Sequence, residues 1–201
     1  MAIGLIAVTS RSRDPGSCEK TVDWAIRWRD HLCGVGLADG EADHPIQGFV
    51  RPMLRAREAG LKVTVHSGEE TAASAVVDTI RTVSPKRIGH GTHIIEDPTA
   101  VELARERGVT LEMCPWSNYL TNSVRRIEDH PLKRLFDQGV RVTINSDDPE
   151  LLDTSLNNEY RIAYEILGMS MEDLASCNRQ AAEASFIPEK EKRPVIERYF
   201  L

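Results

Sequence analysis

Short apolar runs alternate with longer amphipathic segments along the whole chain. Six runs rich in β-branched and other apolar residues lie at Ile3–Val8, Gly34–Leu37, Lys62–His66, Arg87–Gly89, Thr110–Met113 and Val140–Asn145. A helical pattern follows each run, so the sequence predicts six βα units whose strands lie parallel in one sheet. The interior runs are apolar without interruption, which is typical of parallel strands buried on both faces.

Local signals predict where several helices end and which face one of them buries. Asp97 before Pro98 is a typical N-cap followed by proline in the first turn, and a weaker capping box begins at Ser170. Trp24 and Trp28 are one helical turn apart, and we expect both to face the core. Glycines that predict the C-terminal ends of helices precede the next strand at three places: Gly60, Gly108 and Gly139.

Two α/β architectures agree with this order of elements: an open doubly wound sheet and a (β/α) barrel. No G-x-G-x-x-G motif follows the first apolar run, which disfavours a dinucleotide-binding domain. No low-complexity linker or shift in composition divides the sequence. We therefore expect residues 1–201 to form a single domain.

Composition and charge narrow the classes of function. The 201 residues are 41% hydrophobic and 28% charged, as in ordinary globular proteins. The net charge of −6 comes without any basic run, so no nucleic-acid partner is expected. The first apolar run is too short to cross a bilayer, and no membrane association is expected. Four cysteines without a C-x-x-C pair indicate reduced thiols in a cytoplasmic protein.

Polar residues collect immediately after four of the predicted strands. The segments are His66–Glu69, His90–Gly91, Cys114–Asn118 and Ser146–Pro149. Because α/β barrels build their active sites at the C-terminal ends of their strands, this placement favours a barrel. A single histidine at a strand end is usually structural, whereas four polar endings at one edge of a sheet indicate an active site.

The residue types at these endings suit metal-assisted hydrolysis. His66 offers an imidazole nitrogen and Asp147 a carboxylate oxygen, both common ligands of a divalent transition metal such as zinc. Glu69 follows His66 closely and is a candidate general base and acid for a metal-activated water. We expect His90 to orient the resulting hydroxide. Asp148 is predicted to hydrogen-bond a substrate nitrogen, because two adjacent carboxylates sharing one role would repel each other.

Some polar residues also have structural explanations. Asp148 before Pro149 has the pattern of a helix N-cap, and this role is compatible with one in the site. His31, His44 and His130 stand in polar or turn contexts, and we predict that they are surface residues.

Four of these segments together resemble a known family. The signature segments of the adenosine deaminase family of metal-dependent aminohydrolases are similar, in order and spacing, to His66–Glu69, Arg87–Gly91, Cys114–Asn118 and Asn145–Pro149. The likeness continues at Leu156–Tyr160 and Glu183–Phe186. It therefore covers nearly the whole chain after Gly34.

The resemblance implies a TIM-type (β/α) barrel that holds one zinc ion and adds water at C6 of a purine, with release of ammonia. It implies that His66 and Asp147 are zinc ligands and that Glu69 shuttles protons to the purine ring. By the same likeness His90 holds the attacking hydroxide, and Asp148 contacts the substrate and the water.

Two departures from the family pattern affect these expectations. The family supplies two more zinc ligands from an H-x-H pair in its first barrel strand, and no two of the six histidines here stand two positions apart. Asp39 occupies the place of a substrate-binding glycine, so Gly40 beside it becomes the expected contact. Six strands also fall short of eight. We expect an incomplete barrel, truncated at the N-terminus, that a complementing N-terminal segment completes or that self-associates through its open edges.

The expected reaction is the hydrolytic deamination of adenosine, a small-molecule purine nucleoside, to inosine and ammonia. Adenine and aminodeoxyfutalosine are alternative substrates, because Gly34–Leu37 and Ser146 look more like bacterial relatives that handle other aminopurines. A non-catalytic, truncated purine-binding fragment is the alternative outside the enzyme class.

Overall fold

The computed structural model describes residues 3–200, in which one parallel six-stranded sheet carries the helices. The strands lie in the sheet in chain order, and each pairs in parallel with the next. They are β1 (Ile6–Ser10), β2 (Gly34–Ala38), β3 (Lys62–Ser67), β4 (Arg87–His90), β5 (Thr110–Met113) and β6 (Arg141–Ile144). The predicted parallel α/β fold with six strands is confirmed.

Helices connect and flank the strands throughout the described part of the chain. They are α1 (Pro15–Arg27), α2 (Val50–Glu58), α3 (Ala73–Val83), α4 (Pro98–Arg107), α5 (Pro115–Leu120), α6 (Leu132–Asp137), α7 (Leu156–Glu165), α8 (Met171–Ala184) and α9 (Glu189–Tyr199). Short 3-10 helices lie at Ile46–Gly48, Thr92–Glu96 and Ile127–Asp129. Among residues 3–200, no helix combines the length and the apolar character that crossing a membrane would require.

The helix ends predicted at Asp97, at Ser170 and at three glycines are confirmed. Asp97 caps α4 by accepting a hydrogen bond from the Thr99 N–H. Ser170 and Asp173 form a reciprocal capping box at the start of α8. The helices α2, α4 and α6 are each followed by a glycine at positive φ, the conformation that ends a helix without a Cβ clash; these are Gly60 (φ 90°), Gly108 (60°) and Gly139 (77°).

The prediction for the first strand is wrong at its start. Pairing with β2 begins at Ile6, which lies opposite Gly34, and it continues to Ser10. Ile3 lies outside the ladder and is 76% exposed. Apolar character alone does not specify register, because the hydrogen bonds of the neighbouring strand select which residues pair.

The two faces of the sheet have different surroundings. In β3, Val63 and Val65 are buried beneath the helices, whereas Thr64 and His66 on the other face are only half-buried. That face lines a cavity that also contains Glu112, whose carboxylate accepts a hydrogen bond from the Thr64 hydroxyl. For this reason β3 alternates instead of being apolar throughout. The expectation of uninterrupted apolar strands is therefore wrong for β3.

The expectation that two tryptophans face the core is also wrong. Trp24 is 53% exposed and Trp28 is 45% exposed. The buried side of α1 consists of Cys18, Val22 and Ala25. At about 100° per residue, the two tryptophans lie roughly 90–130° around the helix from that side.

Candidate active site

Side chains from the C-terminal ends of five strands line one cleft of about 520 Å³. The cleft is large enough for a small organic ligand. Every residue to which the sequence assigns a catalytic, metal-binding or substrate-binding role lies on it: Gly40, His66, Glu69, His90, Asp147 and Asp148. Residues up to 108 positions apart meet because the carboxyl ends of parallel strands share one edge of the sheet.

His66 occupies space that the neighbouring strand leaves free. It lies opposite Gly89 in the register of β3 and β4, and a Cβ atom at Gly89 would come within 2.5 Å of His66 Cδ2. The ring also meets His90 edge-on, with the ring centroids 4.6 Å apart. Burial lowers the pKa of His66, and the neighbouring His90 lowers it further. A neutral imidazole is the form that binds a metal.

The turn after β3 is held by Glu41, which the sequence analysis does not identify. This carboxylate is 4% exposed and accepts hydrogen bonds from the backbone N–H groups of Gly68 at 2.9 Å, Glu69 at 2.5 Å and Glu70 at 2.6 Å. The hydroxyl of Thr71 donates a fourth bond at 2.9 Å. Charge-assisted bonds of this kind fix the turn that carries Glu69. Glu41 follows β2 closely, so the rule of polar strand endings could have found it.

Arg11, which directly follows β1, also supports the turn after β3, and the sequence analysis does not identify it. Arg11 is 2% exposed and donates hydrogen bonds to the backbone oxygens of His66 and His44. Burial lowers the pKa of Arg11, while the charges of Glu41 and Glu70 oppose the shift. Its position directly after β1 was a signal of the same kind as Glu41's.

The carboxyl group of Glu69 is poised to exchange protons near neutral pH. Oε2 lies 3.1 Å from His90 Nε2, and Oε1 accepts a hydrogen bond from Thr121 Oγ1 at 3.1 Å. Burial raises the pKa of Glu69 to about 7, although the charge of His66 opposes the rise. A general acid and base works best when its pKa lies near the operating pH.

Asp147 and His90 both sit in left-handed backbone conformations. Asp147 has φ 56° and His90 has φ 61°, which are uncommon for residues other than glycine. Ser117, at the start of α5, donates a hydrogen bond from Oγ to Asp147 Oδ2 at 2.7 Å. Strained backbone of this kind clusters at functional sites, where the surrounding contacts hold it in place.

Two groups of potential metal ligands share His90. One contains His66 and Glu69, the other Cys114 and Asp147, and within each group the donor atoms lie within 4.8 Å of one another. Imidazole nitrogen, thiolate sulfur and carboxylate oxygen are the donors that zinc takes in proteins, so the set fits this ion. Burial raises the pKa of Cys114 well above its usual value, which leaves the thiol protonated. The imidazole nitrogens and carboxylate oxygens are then the atoms available to bind a metal ion.

The remaining two predicted site residues lie on the cleft in turns. Gly40 has φ 53°, and a Cβ atom there would come within 2.6 Å of Ser12 Oγ. Asp148 is exposed and its backbone oxygen accepts from the Leu152 N–H in a turn. No helix begins at Pro149, so the N-cap interpretation of Asp148 is wrong. The next helix, α7, begins after the turn, where Ser155 Oγ accepts the capping hydrogen bond from the Asn158 N–H.

His130 contradicts its prediction as a surface residue. It is 3% exposed and lies between a short 3-10 helix and α6. Its Nε2 lies 3.1 Å from Asn118 Oδ1, and Asn118 Nδ2 lies 3.0 Å from His90 Nδ1. Burial lowers the pKa of His130 to about 3. Its turn context resembled that of His31, which is exposed, so only the tertiary structure distinguishes the two.

One protein family matches the sequence along almost its whole length. The family model described as Adenosine deaminase matches residues 1–199. An adenosine deaminase of Erwinia tasmaniensis is 33% identical over 196 residues, which are 98% of this chain and 59% of the relative. An adenine deaminase of Sinorhizobium fredii is 39% identical over 187 residues, which are 92% of this chain and 58% of the relative. The chain thus spans less than two thirds of the length of these relatives.

Solved structures are similar over the same extent. An adenine deaminase from Arthrobacter aurescens has a TM-score of 0.90 at 28% identity, covering 98% of this chain and 60% of the other. An amidohydrolase from Burkholderia ambifaria, solved with bound Zn, has a TM-score of 0.90 at 23% identity, covering 98% and 55%, and is a likeness of fold. The predicted TIM-type barrel class is confirmed, with six of its strands in the described residues.

The order of the motifs, their convergence on one cleft and the match over residues 1–199 agree with one another. This chain belongs to the adenosine deaminase family.

Proposed function

We propose that the protein catalyses the hydrolytic deamination of a 6-aminopurine, with adenosine as the substrate. The observation that carries this proposal is the Glu69 carboxyl group, whose Oε2 lies 3.1 Å from His90 Nε2 in a cleft that also holds His66 and Asp147. In the reaction the oxygen of water bonds to C6 of the purine, while one proton of the water ends on a ring nitrogen and the other on the amino nitrogen. The bond from C6 to that nitrogen then breaks, and ammonia leaves. Family membership supports this reaction class.

In this proposal His66 and Asp147 hold one zinc ion. The neutral imidazole of His66 and the carboxylate of Asp147, oriented by Ser117, are suited to that task. When bound, the ion lowers the pKa of water and so supplies a nucleophile near neutral pH.

The proton transfers belong to Glu69. Ionised Glu69 takes a proton from the attacking water, and protonated Glu69 delivers one to a ring nitrogen of the purine. His90 Nε2 orients the attacking oxygen beside Glu69, while Asp148 and the backbone of Gly40 contact the substrate. The placement of all four residues on one cleft supports these assignments.

Adenine is the second candidate substrate. The observation in its favour is that adenine deaminases from Sinorhizobium fredii and Cupriavidus necator are 39% and 40% identical to this chain, against 33% for the adenosine deaminase of Erwinia tasmaniensis. The two substrates differ by a ribose, so they differ in the contacts required at the mouth of the cleft.

We also propose that a further polypeptide segment completes the metal site. Zinc usually takes three or four protein ligands, and His66 and Asp147 are two. In the described residues, β1 and β6 each pair on one side only, and an unpaired strand edge accepts another strand. The segment of a relative that this chain does not match is the candidate for this role.

The test is ammonia release from adenosine, adenine and aminodeoxyfutalosine by the zinc-loaded chain. One arm contains the chain alone, and the other adds the unmatched part of the Sinorhizobium fredii adenine deaminase. We expect turnover in the second arm, and a loss on the order of 10²–10⁴-fold in Glu69→Gln. The matched control is Glu102→Gln, an exposed glutamate on α4.

Three outcomes decide between the proposals. Absence of ammonia in both arms, with folded protein and bound zinc, would overturn the enzymatic proposal in favour of a purine-binding fragment. Turnover by the chain alone would overturn only the proposal that another segment completes the site. The ratio of the adenosine and adenine rates decides the substrate.

A further inference from the structure

We propose that His130 is a positioning residue, which acts through Asn118 to hold His90 in the tautomer with its proton on Nε2. The inference concerns the order of donors and acceptors in a buried chain of three side chains. Its catalytic meaning rests on the proposed function, since Nε2 is the His90 atom that faces Glu69. The tautomer itself can be measured without turnover.

The chain of hydrogen bonds starts at a group whose direction is certain. The backbone N–H of Leu132 lies 3.2 Å from His130 Nδ1, and a backbone N–H can only donate. Nδ1 of His130 is therefore the acceptor and carries no proton. A neutral imidazole must then carry its proton on Nε2, and burial keeps this ring neutral by lowering its pKa to about 3.

The position of the proton on His130 determines the orientation of the Asn118 amide. The Nε2–H group of His130 needs an acceptor, and Asn118 Oδ1 lies 3.1 Å away. The amide oxygen therefore points to His130, and the NH₂ group points in the opposite direction. Nδ2 of Asn118 lies 3.0 Å from His90 Nδ1, so it donates to that nitrogen.

The last link sets the tautomer of His90. Because Nδ1 accepts from Asn118, the proton of the neutral ring lies on Nε2, which is 3.1 Å from Glu69 Oε2. The other tautomer would place two N–H donors face to face at Nδ1. Water cannot take over these bonds, because His90, Asn118 and His130 are 2%, 0% and 3% exposed.

The consequence is a donor aimed at the reacting oxygen. With its proton on Nε2, His90 donates either to the Glu69 carboxylate or to an oxygen that approaches between them. With the proton on Nδ1, the Nε2 lone pair would face the carboxylate of Glu69 and repel it. His130 does not line the cleft, so it acts only through Asn118.

The experiment is a long-range ¹H–¹⁵N correlation spectrum of the full chain labelled with [¹⁵N]histidine, with the His90 signals assigned by their loss in His90→Asn. We expect His90 and His130 both to carry their protons on Nε2. A His90 proton on Nδ1 in the wild-type chain would overturn the proposal. The tautomer is read in the wild-type chain, and the His90→Asn variant serves only to assign the signals.

Two variants test whether the direction comes through Asn118. In Asn118→Asp, a carboxylate can only accept, so the His90 proton should move to Nδ1; Asn157→Asp adds the same charge on an exposed position of α7 and should leave it on Nε2. His130→Leu should give a mixture of the His90 tautomers, whereas His130→Gln retains an amide donor and should restore Nε2 in part. An unchanged His90 tautomer in folded Asn118→Asp would overturn the proposal.

Activity provides the second readout. We expect His130→Leu to lower kcat on the order of 10–100-fold, the usual loss when the support of an active-site histidine is removed, with little change in KM. Asn118→Asp should lose on the order of 10⁴-fold, because a wrong tautomer costs this much in hydrolytic triads. These rates are measured with the complementing segment present. If the tautomers behave as expected and neither the variants nor the wild-type protein release ammonia under that condition, the proposed function fails while the hydrogen-bond order stands.

Discussion

Two regions of the molecule differ in which side chains they bury. One is the edge of the sheet that carries the cleft, and the other is the flank formed by β1 and α1. At the cleft, buried polar groups such as Glu41 and Asn118 are satisfied by hydrogen bonds within the chain. On the flank, apolar side chains remain exposed on both faces of the sheet: Val8, on the face of Thr64 and His66, is 62% exposed, and Trp24, on α1, is 53% exposed.

The difference bears on where the proposed further segment would join the sheet. A buried polar group without a partner is costly, and Glu41, Asn118 and His130 all find partners within the strands and loops of this chain. The flank instead exposes apolar surface beside the free side of β1, and large exposed apolar patches mark interaction sites. The comparison therefore supports the proposal that a further segment pairs along the free side of β1.

The largest effect on stability is expected at Glu41, whose carboxylate holds the turn after β3. Glu41→Gln removes the charge that accepts three backbone N–H bonds, and we expect a loss of about 3 kcal/mol in the free energy of unfolding. Urea denaturation measures this loss. Glu58→Gln, on an exposed position of α2, is the matched control and should change stability by less than about 0.5 kcal/mol. Equal stability of the two variants would show that the turn is not held from Glu41.

Acidification is expected to lower the free energy of unfolding, because the buried His130 does not take up a proton as readily as it does in the unfolded chain. Its pKa is about 3 in the folded protein against 6.5 for the free group, so the unfolded chain binds the proton first as the pH falls. The contribution of neutral His130 to the free energy of unfolding is fully present above pH 6.5 and is lost progressively as the pH falls toward 3. At pH 5 the cost is about 2 kcal/mol.

The measurement is the free energy of unfolding between pH 8 and pH 5 for wild-type protein and His130→Gln. The variant should show the shallower dependence on pH, and His31→Gln, at an exposed histidine, should follow the wild type. Parallel curves for all three proteins would contradict the burial of a neutral His130.

A smaller effect is expected where β4 makes room for His66. In Gly89→Ala, the new Cβ atom would lie 2.5 Å from His66 Cδ2, so the ring must move. We expect a destabilisation of about 1–2 kcal/mol and weaker binding of zinc, measured by urea unfolding and titration calorimetry. Gly48→Ala is the control, because the nearest atom to its Cβ, Pro15 Cγ, is 3.6 Å away. Unchanged zinc affinity in Gly89→Ala would argue against His66 as a ligand.

The smallest effect is expected on the flank. Trp24→Gln should change the stability of the isolated chain by less than about 0.5 kcal/mol, because the side chain is half exposed and lies off the buried side of α1. Val35→Ala, at a fully buried position of β2, should cost about 2 kcal/mol in the same urea experiment. A large loss in Trp24→Gln would show that a second chain covers the flank in solution.

Sequence patterns were informative wherever the physical cause is local or periodic. The six strands, the N-cap at Asp97 and the glycine after α4 all follow from residues within a few positions of one another. The polar endings were informative for a related reason, since parallel strands bring their carboxyl ends to one edge whatever their separation in the chain. This rule found His66 and Asp147 together.

The failures share a different cause. Trp24 and Trp28 have the spacing of a core-facing pair, yet which side of α1 is buried depends on where the sheet lies. His130 and His31 occur in similar local contexts, yet one is buried against Asn118 and the other is exposed. The start of β1 depends on its register with β2. In each case the deciding contact comes from a distant part of the chain.

Periodicity, capping residues and the chemistry of the strand endings are sufficient to predict a parallel α/β fold and several residues of its cleft. These features act over short stretches or through a rule common to all parallel sheets. Packing decided the rest. Only the folded chain brings the Glu41 carboxylate onto the backbone of the turn after β3 and orders the hydrogen bonds from His130 to His90, since both depend on groups that are distant in sequence.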